Sequence, residues 1–382
     1  MTPRKLDFLF FDAGGGHRSA ATALKQVIEE QGLAWQIRLV NLQEVLDSLD
    51  FLRKVTGVRL EDVYNLLLKK GWTLGTPQLL KVLHAVIRLR HPAQVRLLEA
   101  FWRRDPPDLA VSLIPNFNRA LHEGLRRGAP GVPMVTILTD LADYPPHLWI
   151  EPESQYLICG TERAAGQARA LGHDDARIFR TSGMILNPRF YETREVDRER
   201  ERERLGLKPD LPTGLVLFGG EGSPAMLGIA RRLDAAALPL QLIVVCGRNR
   251  ELAERLRRAR FRMPVFIEGF TREVPHYMRL SDFFIGKPGP GSISEALQMK
   301  LPVIVERNAW TLPQERYNAD WVVEKQVGIA LKSFRQIGSA VARLLEPEQY
   351  RRFRANAATL ENRAVFEIPG ILEEILCRKP PG

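Results

Sequence analysis

Short apolar runs alternate with helical segments in two successive series along the chain, and this alternation constrains the fold more than any other feature. The runs of the first series lie at residues 6–11, 36–40, 109–113, 134–138 and 155–159. Those of the second series lie at residues 215–218, 242–246, 265–267, 283–285 and 303–305. Strands that alternate with helices build parallel sheets from βαβ units. The sequence therefore predicts an α/β fold with two Rossmann-like, doubly wound domains, which we expect to face each other across a cleft.

A run of mixed charge marks the predicted boundary between the two domains. The segment REVDRERERER at 194–204 has the composition of a solvated helix or linker. It divides the 382-residue chain, whose length suits two domains, into predicted domains at 1–195 and 205–349. The remaining segment, 350–382, is predicted to be helical and to pack back on the first domain.

One segment of the first half departs from the alternation. Residues 51–104 contain no strand-like run and carry most of the formal net charge of +10. Amphipathic helices are predicted there because apolar residues recur at helical spacing, at Leu79, Leu80, Leu83, Val86 and Ile87. Such helices either lie on an anionic membrane surface or cap the sheet. Net charge alone also suits nucleic acid, but the sequence contains no nucleic-acid-binding motif, so we expect no such partner.

The cysteines and the apolar segments indicate the compartment. Cys159, Cys246 and Cys377 form no CxxC pair, which indicates a reducing compartment without disulfide bonds. The N-terminal apolar run is too short for a secretory signal, and no run of about 18 apolar residues predicts a transmembrane helix. We expect a cytoplasmic protein that meets a membrane, if it meets one, at the surface.

The first candidate site is a glycine-rich turn that follows a strand and opens a helix. It reads DAGGGHRS and contains Gly14, Gly15, Gly16 and His17. Glycines let the backbone turn sharply and approach a ligand closely, and free N–H groups at a helix N-terminus bind anions. His17 is predicted to point toward such a ligand. The alternative is that His17 only caps the helix.

A second glycine-rich turn follows the first strand of the second series. It reads FGGEGS and contains Gly219, Gly220, Glu221 and Gly222. A tight turn without a ligand is the alternative. One such turn in each predicted domain favours a nucleotide site at the carboxyl ends of the strands.

The most specific segment is GKPGPGSISEAL, which contains five candidate residues: Lys287, Gly289, Gly291, Ser292 and Glu295. Its serine and its loop amides suit a diphosphate at a helix N-terminus. The Glu295 carboxylate can accept hydrogen bonds from two ribose hydroxyls. Because Glu295 follows Ser292 by three residues, the two can instead form a capping box with Ser292 as the N-cap.

A further polar turn, TLPQERYN, follows the next strand and carries Gln314 and Glu315, whose side chains suit sugar hydroxyls. With GGGH, TDLADYPPHLW, GGEG, VVCGRN and GKPGPGSISEAL, this turn resembles the monogalactosyldiacylglycerol synthases and processive diacylglycerol glucosyltransferases. That family is related to the N-acetylglucosaminyltransferase of peptidoglycan lipid intermediates. The resemblance spans most of the chain. It implies a GT-B fold, an inverting reaction, a UDP-sugar donor at the second domain, a lipid acceptor at the first, and no metal or other cofactor.

The resemblance also implies roles for individual residues. His17 and Asp140 compete for the role of general base, since either an imidazole or a carboxylate can take the proton of an acceptor hydroxyl. Glu295 would bind the ribose of UDP. Gln314 and Glu315 would bind the donor sugar.

The leaving diphosphate would be held by two glycine loops, 219–222 and 289–292, with helix N-termini supplying the positive potential. Arg248 and Lys287 are candidate cations for the same role. The basic segment 51–104 would bind an anionic membrane, which places the enzyme on the inner face of the cell membrane.

Two segments depart from the family pattern, so neither the sugar nor the acceptor follows from the resemblance. Tyr144, Pro145, Pro146 and His147 form a different acceptor loop, and the turn 310–312 replaces a more glycine-rich one. Glucose, galactose and N-acetylglucosamine all stay open. Other readings are a UDP-sugar hydrolase or epimerase of the same fold, a transferase to a soluble or polyprenyl acceptor, and a non-enzymatic nucleotide-sugar sensor.

Overall fold

The protein is described from a computed structural model, which covers residues 3–12, 15–46, 76–144, 147–193 and 195–378. In the segment that begins at 76, side chains are described from residue 87 onward. The chain divides into two compact units. The first contains the described residues up to 188 together with 362–378, and the second contains those from 189 to 361.

The first unit has a six-stranded sheet of order β2-β1-β3-β4-β5-β6, parallel throughout. Its strands are β1 (Arg4–Phe10), β2 (Trp35–Asn41), β3 (Leu109–Ser112), β4 (Met134–Ile137), β5 (Tyr156–Cys159) and β6 (Ile178–Arg180). Its α-helices in the described residues are α1 (Gly16–Glu30), α2 (Leu42–Leu46), α3 (Thr76–Arg104), α4 (Asn118–Gly128), α5 (Glu162–Ala170) and, from the end of the chain, Ala364–Cys377.

The second unit repeats this architecture with a parallel sheet of order β12-β11-β10-β7-β8-β9. Its strands are β7 (Thr213–Leu217), β8 (Gln241–Val245), β9 (Val265–Glu268), β10 (Phe283–Gly286), β11 (Val303–Glu306) and β12 (Gly328–Leu331). Its α-helices are α6 (Arg198–Arg204), α7 (Ala225–Ala235), α8 (Arg250–Arg258), α9 (Val274–Arg279), α10 (Pro290–Gln298), α11 (Arg316–Glu324), α12 (Ile337–Leu344) and α13 (Pro347–Thr359). The returning helix Ala364–Cys377 is α14.

The strands are continuous apolar runs because helices cover both faces of each sheet. In β10, Phe283 and Phe284 point to opposite faces, and both are fully buried in separate core clusters. All ten predicted strands are present, and the prediction of two Rossmann-like α/β units is confirmed.

Two strands, β6 and β12, lack a clear signal in the sequence. Strand β6 has only three residues and lies at an exposed edge. Strand β12 begins at Gly328, a residue that weakens a strand pattern. A Cβ atom at Gly328 would lie 1.9 Å from the carbonyl oxygen of Val303, so the close pairing with β11 requires glycine there.

The mixed-charge run is not the solvated linker that its composition predicts. Helix α6 packs within the second unit, and the guanidinium of Arg202 is buried. It donates to the carbonyl oxygen of Leu280 and to the carboxylate of Asp282, 2.7 Å away. Asp282 also accepts from Arg198 and from the backbone N–H of Thr213. The alternating charges of this segment are typical of a surface helix, so they did not indicate this buried network.

The returning segment begins later than predicted. Residues 350–359 belong to α13 of the second unit, where Phe353 and Ala357 lie in the core. The chain rejoins the first unit at residue 362. There α14 packs on α1 and buries Ile368 and Leu372. The prediction for 350–382 is therefore wrong for its first part.

The basic segment 51–104 is described only from residue 76. From there to 104 it forms one helix, α3, and the number of helices predicted for the whole segment lies outside the described residues. Its C-terminal half caps the sheet, because Leu98 and Trp102 are fully buried. Helix α4 packs closely on it: a Cβ at Gly128 would lie 2.5 Å from the carbonyl oxygen of Glu99. The predicted apolar face at residues 79–86 falls outside the described side chains.

A buried carboxylate ties three elements of the first unit together. Asp7 of β1 is fully buried and accepts two hydrogen bonds from Arg38 of β2, at 2.7 and 2.6 Å. The indole N–H of Trp102 on α3 donates to the same carboxylate at 3.0 Å. Arg38 also pairs with the exposed Asp105 at 2.5 Å. Desolvation of the buried charge is thus compensated by three donors.

Replacing Asp7 with alanine leaves the Trp102 N–H and part of the Arg38 guanidinium buried without an acceptor. We expect Asp7→Ala to lower the free energy of unfolding by about 3–5 kcal/mol. Asp105→Ala removes the exposed partner of the same arginine and should cost less than about 1 kcal/mol. Urea denaturation measures both. Equal losses in the two variants would contradict the assignment of the buried pair as the stabilising one.

Candidate active site

Parallel pairing places the ends of all six strands of each sheet at one edge, and the candidate residues follow those ends. In the first unit the relevant segments are the turn after β1 and the segment after β4. In the second they are the loops after β7, β8, β10 and β11. Ligands of doubly wound sheets bind at this edge.

His17 lies at the start of α1, which the turn after β1 opens. Gly15 is the N-cap, with φ of 77°, and no side chain caps the helix, so the capping alternative for His17 is wrong. Gly16 is the first helical residue, while Gly14 lies outside the described residues. The Nδ1 atom of His17 lies 3.2 Å from the hydroxyl of Thr139.

The His17 imidazole is neutral at physiological pH. Burial lowers the pKa of His17 to about 4, although a hydrogen bond to the backbone of Leu113 acts in the opposite direction. A neutral imidazole has a free lone pair and can accept a proton. The site therefore keeps this histidine in the form that a general base requires.

Asp140 and His17 both contact one buried side chain, that of Trp149. The indole N–H of Trp149 donates to the Asp140 carboxylate at 2.8 Å. The centre of the His17 ring lies 5.8 Å from that of Trp149. The structure thus brings together both residues that the sequence proposes as the base, and adds an aromatic residue that contacts each of them.

The loop that carries Trp149 is organised by Asp143, a residue that sequence reasoning missed. Asp143 is 1% exposed, and its carboxylate accepts from four successive backbone N–H groups, those of residues 147–150. Desolvation raises the pKa of Asp143, while these four hydrogen bonds act to lower it. The signal in the sequence was an aspartate shortly before a proline pair and a turn.

In the second unit, the loops after β7 and β8 approach so closely that Gly222 and Gly247 leave no room for a side chain. A Cβ at Gly247 would lie 2.2 Å from the carbonyl oxygen of Gly220, and one at Gly222 would lie 2.6 Å from that of Cys246. Gly219, Gly222 and Gly247 all have positive φ, between 59° and 72°. Arg248 donates its backbone N–H to Gly220 at 2.8 Å. The glycines of this turn serve a specific loop-on-loop contact.

The candidate cations of the second unit are each paired with a candidate carboxylate. Lys287 Nζ lies 2.9 Å from Glu315 Oε1, and Arg248 lies 3.1 Å from Glu221. Glu315 is buried, whereas the other three side chains are at least partly exposed. The stem of Lys287 lies within 4 Å of where Cβ atoms of Gly219 and Gly289 would be, so this lysine lies between both predicted diphosphate loops.

Helix α10 begins at Pro290, with Gly289 as its N-cap. The helix therefore starts before Ser292, the predicted cap, and the capping-box alternative for Glu295 is wrong. Gly291 is exposed, and no described atom lies within 4 Å of a Cβ built there. Asn318 fixes the loop by donating its side-chain N–H to the carbonyl oxygen of Pro288 at 2.8 Å.

Among the described residues none forms a hydrogen bond or ion pair with the carboxyl group of Glu295, which is half-buried. Desolvation raises the pKa of Glu295 to about 7, so the group is part protonated at neutral pH. A desolvated carboxyl group without a partner is costly, and a ligand with hydroxyl groups would satisfy it.

A cavity of about 740 Å³ opens beside the glycine loops, at the ends of β8 and β9. Gly247, Arg248, Gly269 and Phe270 contribute to its lining. Phe270 is 57% exposed, and the guanidinium of Arg248 lies 4.7 Å from its ring. An exposed aromatic ring at the edge of a cavity is suited to stack on a planar ligand. Gln314 lies half-buried in the short helical turn Pro313–Glu315.

The second unit matches a known family model, the glycosyltransferase family 28 C-terminal domain, over residues 215–366. Among curated proteins, the chain is 30% identical to a probable monogalactosyldiacylglycerol synthase 2 of Oryza sativa subsp. japonica, an alignment that covers 94% of this chain and 78% of the relative. The monogalactosyldiacylglycerol synthase of Spinacia oleracea is 29% identical, covering 99% and 74%.

Solved structures show the same fold. Acinetobacter baumannii MurG superposes with a TM-score of 0.61 at 11% identity, covering 97% of this chain and 100% of that one. The UDP complex of S. aureus MnaA also gives 0.61, at 14% identity, covering 98% and 97%. Within the described residues, no helix combines the length and apolar character needed to cross a membrane.

The two parallel units and these similarities define the chain as a glycosyltransferase of the GT-B fold. The curated relatives also identify the family. The chain belongs to the monogalactosyldiacylglycerol synthase family.

The contact between the loops after β7 and β8 predicts that Gly247→Ala is disruptive. The added methyl would collide with the Gly220 carbonyl, and φ of 59° is strained for alanine. We expect a loss of roughly 2–4 kcal/mol in unfolding free energy. Gly269→Ala is the matched control, because it lines the same cavity and has open space at its Cβ. A Gly247→Ala protein as stable as this control would contradict the close approach.

Proposed function

We propose that this glycosyltransferase transfers a hexose from a UDP-sugar to a diacylglycerol-like lipid at a membrane surface, with inversion at the anomeric carbon. The observation that carries the proposal is the neutral imidazole of His17 beside Asp140 and Trp149 in the first unit. Family membership supports it, because the curated relatives are named as synthases of a galactolipid.

The donor is proposed to bind the second unit. The uracil enters the cavity that Phe270 and Arg248 line, and the ribose hydroxyls donate to Glu295. The diphosphate lies at the loops 219–222 and 289–292, where the N-terminus of α10 and the ammonium of Lys287 stabilise its charge. HepE of Anabaena, a structural neighbour at 16% identity and a TM-score of 0.55, was solved with UDP-glucose.

Glu315 is proposed to act in two ways. Its carboxylate holds Lys287 at 2.9 Å, which positions the ammonium group. Together with Gln314, it also faces the donor sugar. These two contacts would explain why Glu315, a buried acidic residue, lies next to a proposed site for the anionic diphosphate.

The reaction is a direct displacement. The lone pair of His17, or the Asp140 carboxylate, takes the proton of the acceptor hydroxyl. The acceptor oxygen forms a bond to the anomeric carbon as the bond from that carbon to UDP breaks, and UDP leaves with the electron pair. Loop amides, the α10 N-terminus and Lys287 stabilise the developing charge without a metal ion.

The membrane contact is proposed to involve the basic segment 51–104. In its described part, Leu89 is 79% exposed between the exposed side chains of Arg88 and Arg90. An apolar side chain flanked by cations suits the headgroup region of an anionic bilayer. On the inner face of the cell membrane, this contact would bring the enzyme to its lipid acceptor.

The test is UDP release from a panel of UDP-sugars, with and without diacylglycerol in anionic vesicles. We expect release that depends on the lipid, persists with a metal chelator, and falls at least 100-fold in His17→Ala. Release without lipid would indicate a hydrolase or epimerase. Release with a soluble or polyprenyl acceptor alone would replace the lipid assignment, and UDP binding without turnover would indicate a sensor.

The raised pKa of Glu295 predicts that UDP binding is linked to proton release. Ribose hydroxyls donate to the carboxylate and favour its charged form, so binding lowers a pKa that is about 7 in the free protein. Affinity should therefore increase as the pH rises from 5 to 8. Calorimetry at pH 7 in two buffers of different ionisation enthalpy should detect about half a proton released from this group.

The matched control for that linkage is Glu295→Gln, which keeps the size of the side chain and cannot ionise. It also accounts for protons that the diphosphate itself exchanges. We expect the difference in proton release between the two proteins to equal the Glu295 contribution. Identical release in both would contradict the role of Glu295 in binding the ribose.

A further inference from the structure

Four hydrogen bonds from the loop 147–150 converge on one side chain, Asp143. Its two carboxylate oxygens accept the backbone N–H groups of His147, Leu148 and Trp149 at 2.8–3.0 Å, and that of Ile150 at 3.4 Å. Four convergent donors fix the path of the backbone on both sides of Trp149. His147 has a positive φ of 69°, a conformation that the loop must hold against its intrinsic preference.

Asp143 is in turn fixed by helix α5. Gln167 accepts the backbone N–H of Asp143 at 2.9 Å and donates to its carbonyl oxygen at 3.1 Å. Residues near the start of α4 hold the other side of the loop, because the Asn118 side chain donates to the carbonyl oxygen of Trp149 at 2.9 Å. The position of Trp149 is therefore determined by buried polar contacts from two helices and one carboxylate.

Trp149 connects this scaffold to the proposed base. The residue is fully buried, so its ring has no freedom to move while the loop is intact. Its N–H binds one oxygen of Asp140 at 2.8 Å, and its ring lies against His17. A shift of the loop would change the orientation of Asp140 and the wall of the His17 site together.

We propose that Asp143 is a positioning residue for the transfer reaction, which acts through Trp149 to orient Asp140 and His17. This inference rests on the proposed function. In the described residues no hydrogen bond joins Asp143 to either candidate base, and the Trp149 indole is the side chain that contacts both of them.

The first test is a double-mutant cycle of Asp143→Asn and Trp149→Phe. The asparagine keeps the shape of the side chain, but its NH2 group replaces one acceptor oxygen and faces backbone N–H donors. The phenylalanine keeps an aromatic ring but has no N–H group to donate to Asp140. We expect Asp143→Asn to lower kcat 10- to 100-fold, with the KM for the UDP-sugar within twofold of wild type, since misplacement of about 1 Å costs that much. In the Trp149→Phe background the same change should lower kcat less than threefold.

The second test does not require activity. The indole N–H resonance of Trp149, identified by its loss in Trp149→Phe, reports the hydrogen bond to Asp140. We expect Asp143→Asn to move it upfield, as Asp140→Asn also does. Asp174→Asn is the matched control: Asp174 accepts the backbone N–H of Ala176 at 2.9 Å on another loop of the same unit. It should change neither kcat nor this resonance.

Three results would overturn the proposal: an unchanged resonance and kcat in Asp143→Asn, losses that add fully in the double variant, or equal losses in kcat and in UDP-sugar binding. If Asp143→Asn does not fold, Gln167→Met removes the contacts that hold the Asp143 backbone and should shift the resonance and kcat in the same direction. A wild-type protein inactive on every donor and acceptor would reject the proposed function, while the resonance would still test the link between Asp143 and Asp140.

Discussion

Parallel pairing of every strand is the constraint on which the rest of this structure depends. Because all strands of a sheet run in one direction, their carboxyl ends meet at one edge, and each following loop opens there. His17, Asp140, Lys287 and Glu315 are far apart in sequence and follow four different strands. The sheets bring them to two edges, one in each unit, without any of these residues contributing to the sheets themselves.

Buried or half-buried carboxylates then connect neighbouring elements by hydrogen bonds. Asp7 joins β1, β2 and α3, and Asp282 joins α6 to the strand β7. Asp143 does the same for a loop, with backbone N–H groups as its partners. Each is compensated by several donors, which is the condition under which a buried charge stabilises a single conformation. No donor among the described residues binds the Glu295 carboxyl group, and this contrast is what indicates a ligand there.

The sequence predicted the two units and ten of the twelve strands, because short apolar runs that alternate with helices have few other solutions. It could not predict β12, since the close approach that requires Gly328 is a tertiary contact. It predicted that His17 and Asp140 compete for one role, but it did not predict which contacts hold the two side chains near each other. Trp149 and Asp143 join them through hydrogen bonds that leave no periodic or compositional signal. Arg202 was missed for the opposite reason, because its strong local pattern of charge is typical of a surface.

The central claim is a single direct displacement at the anomeric carbon, with a general base that takes the proton of the acceptor hydroxyl. The most direct measurement is the anomeric configuration of the glycolipid product, from the coupling constant of its anomeric proton in an NMR spectrum. With an α-linked UDP-hexose as donor, a single displacement with inversion predicts a β-linked product. An α-linked product would require either a second displacement or a front-face mechanism, and it would contradict the roles proposed here for His17 and Asp140.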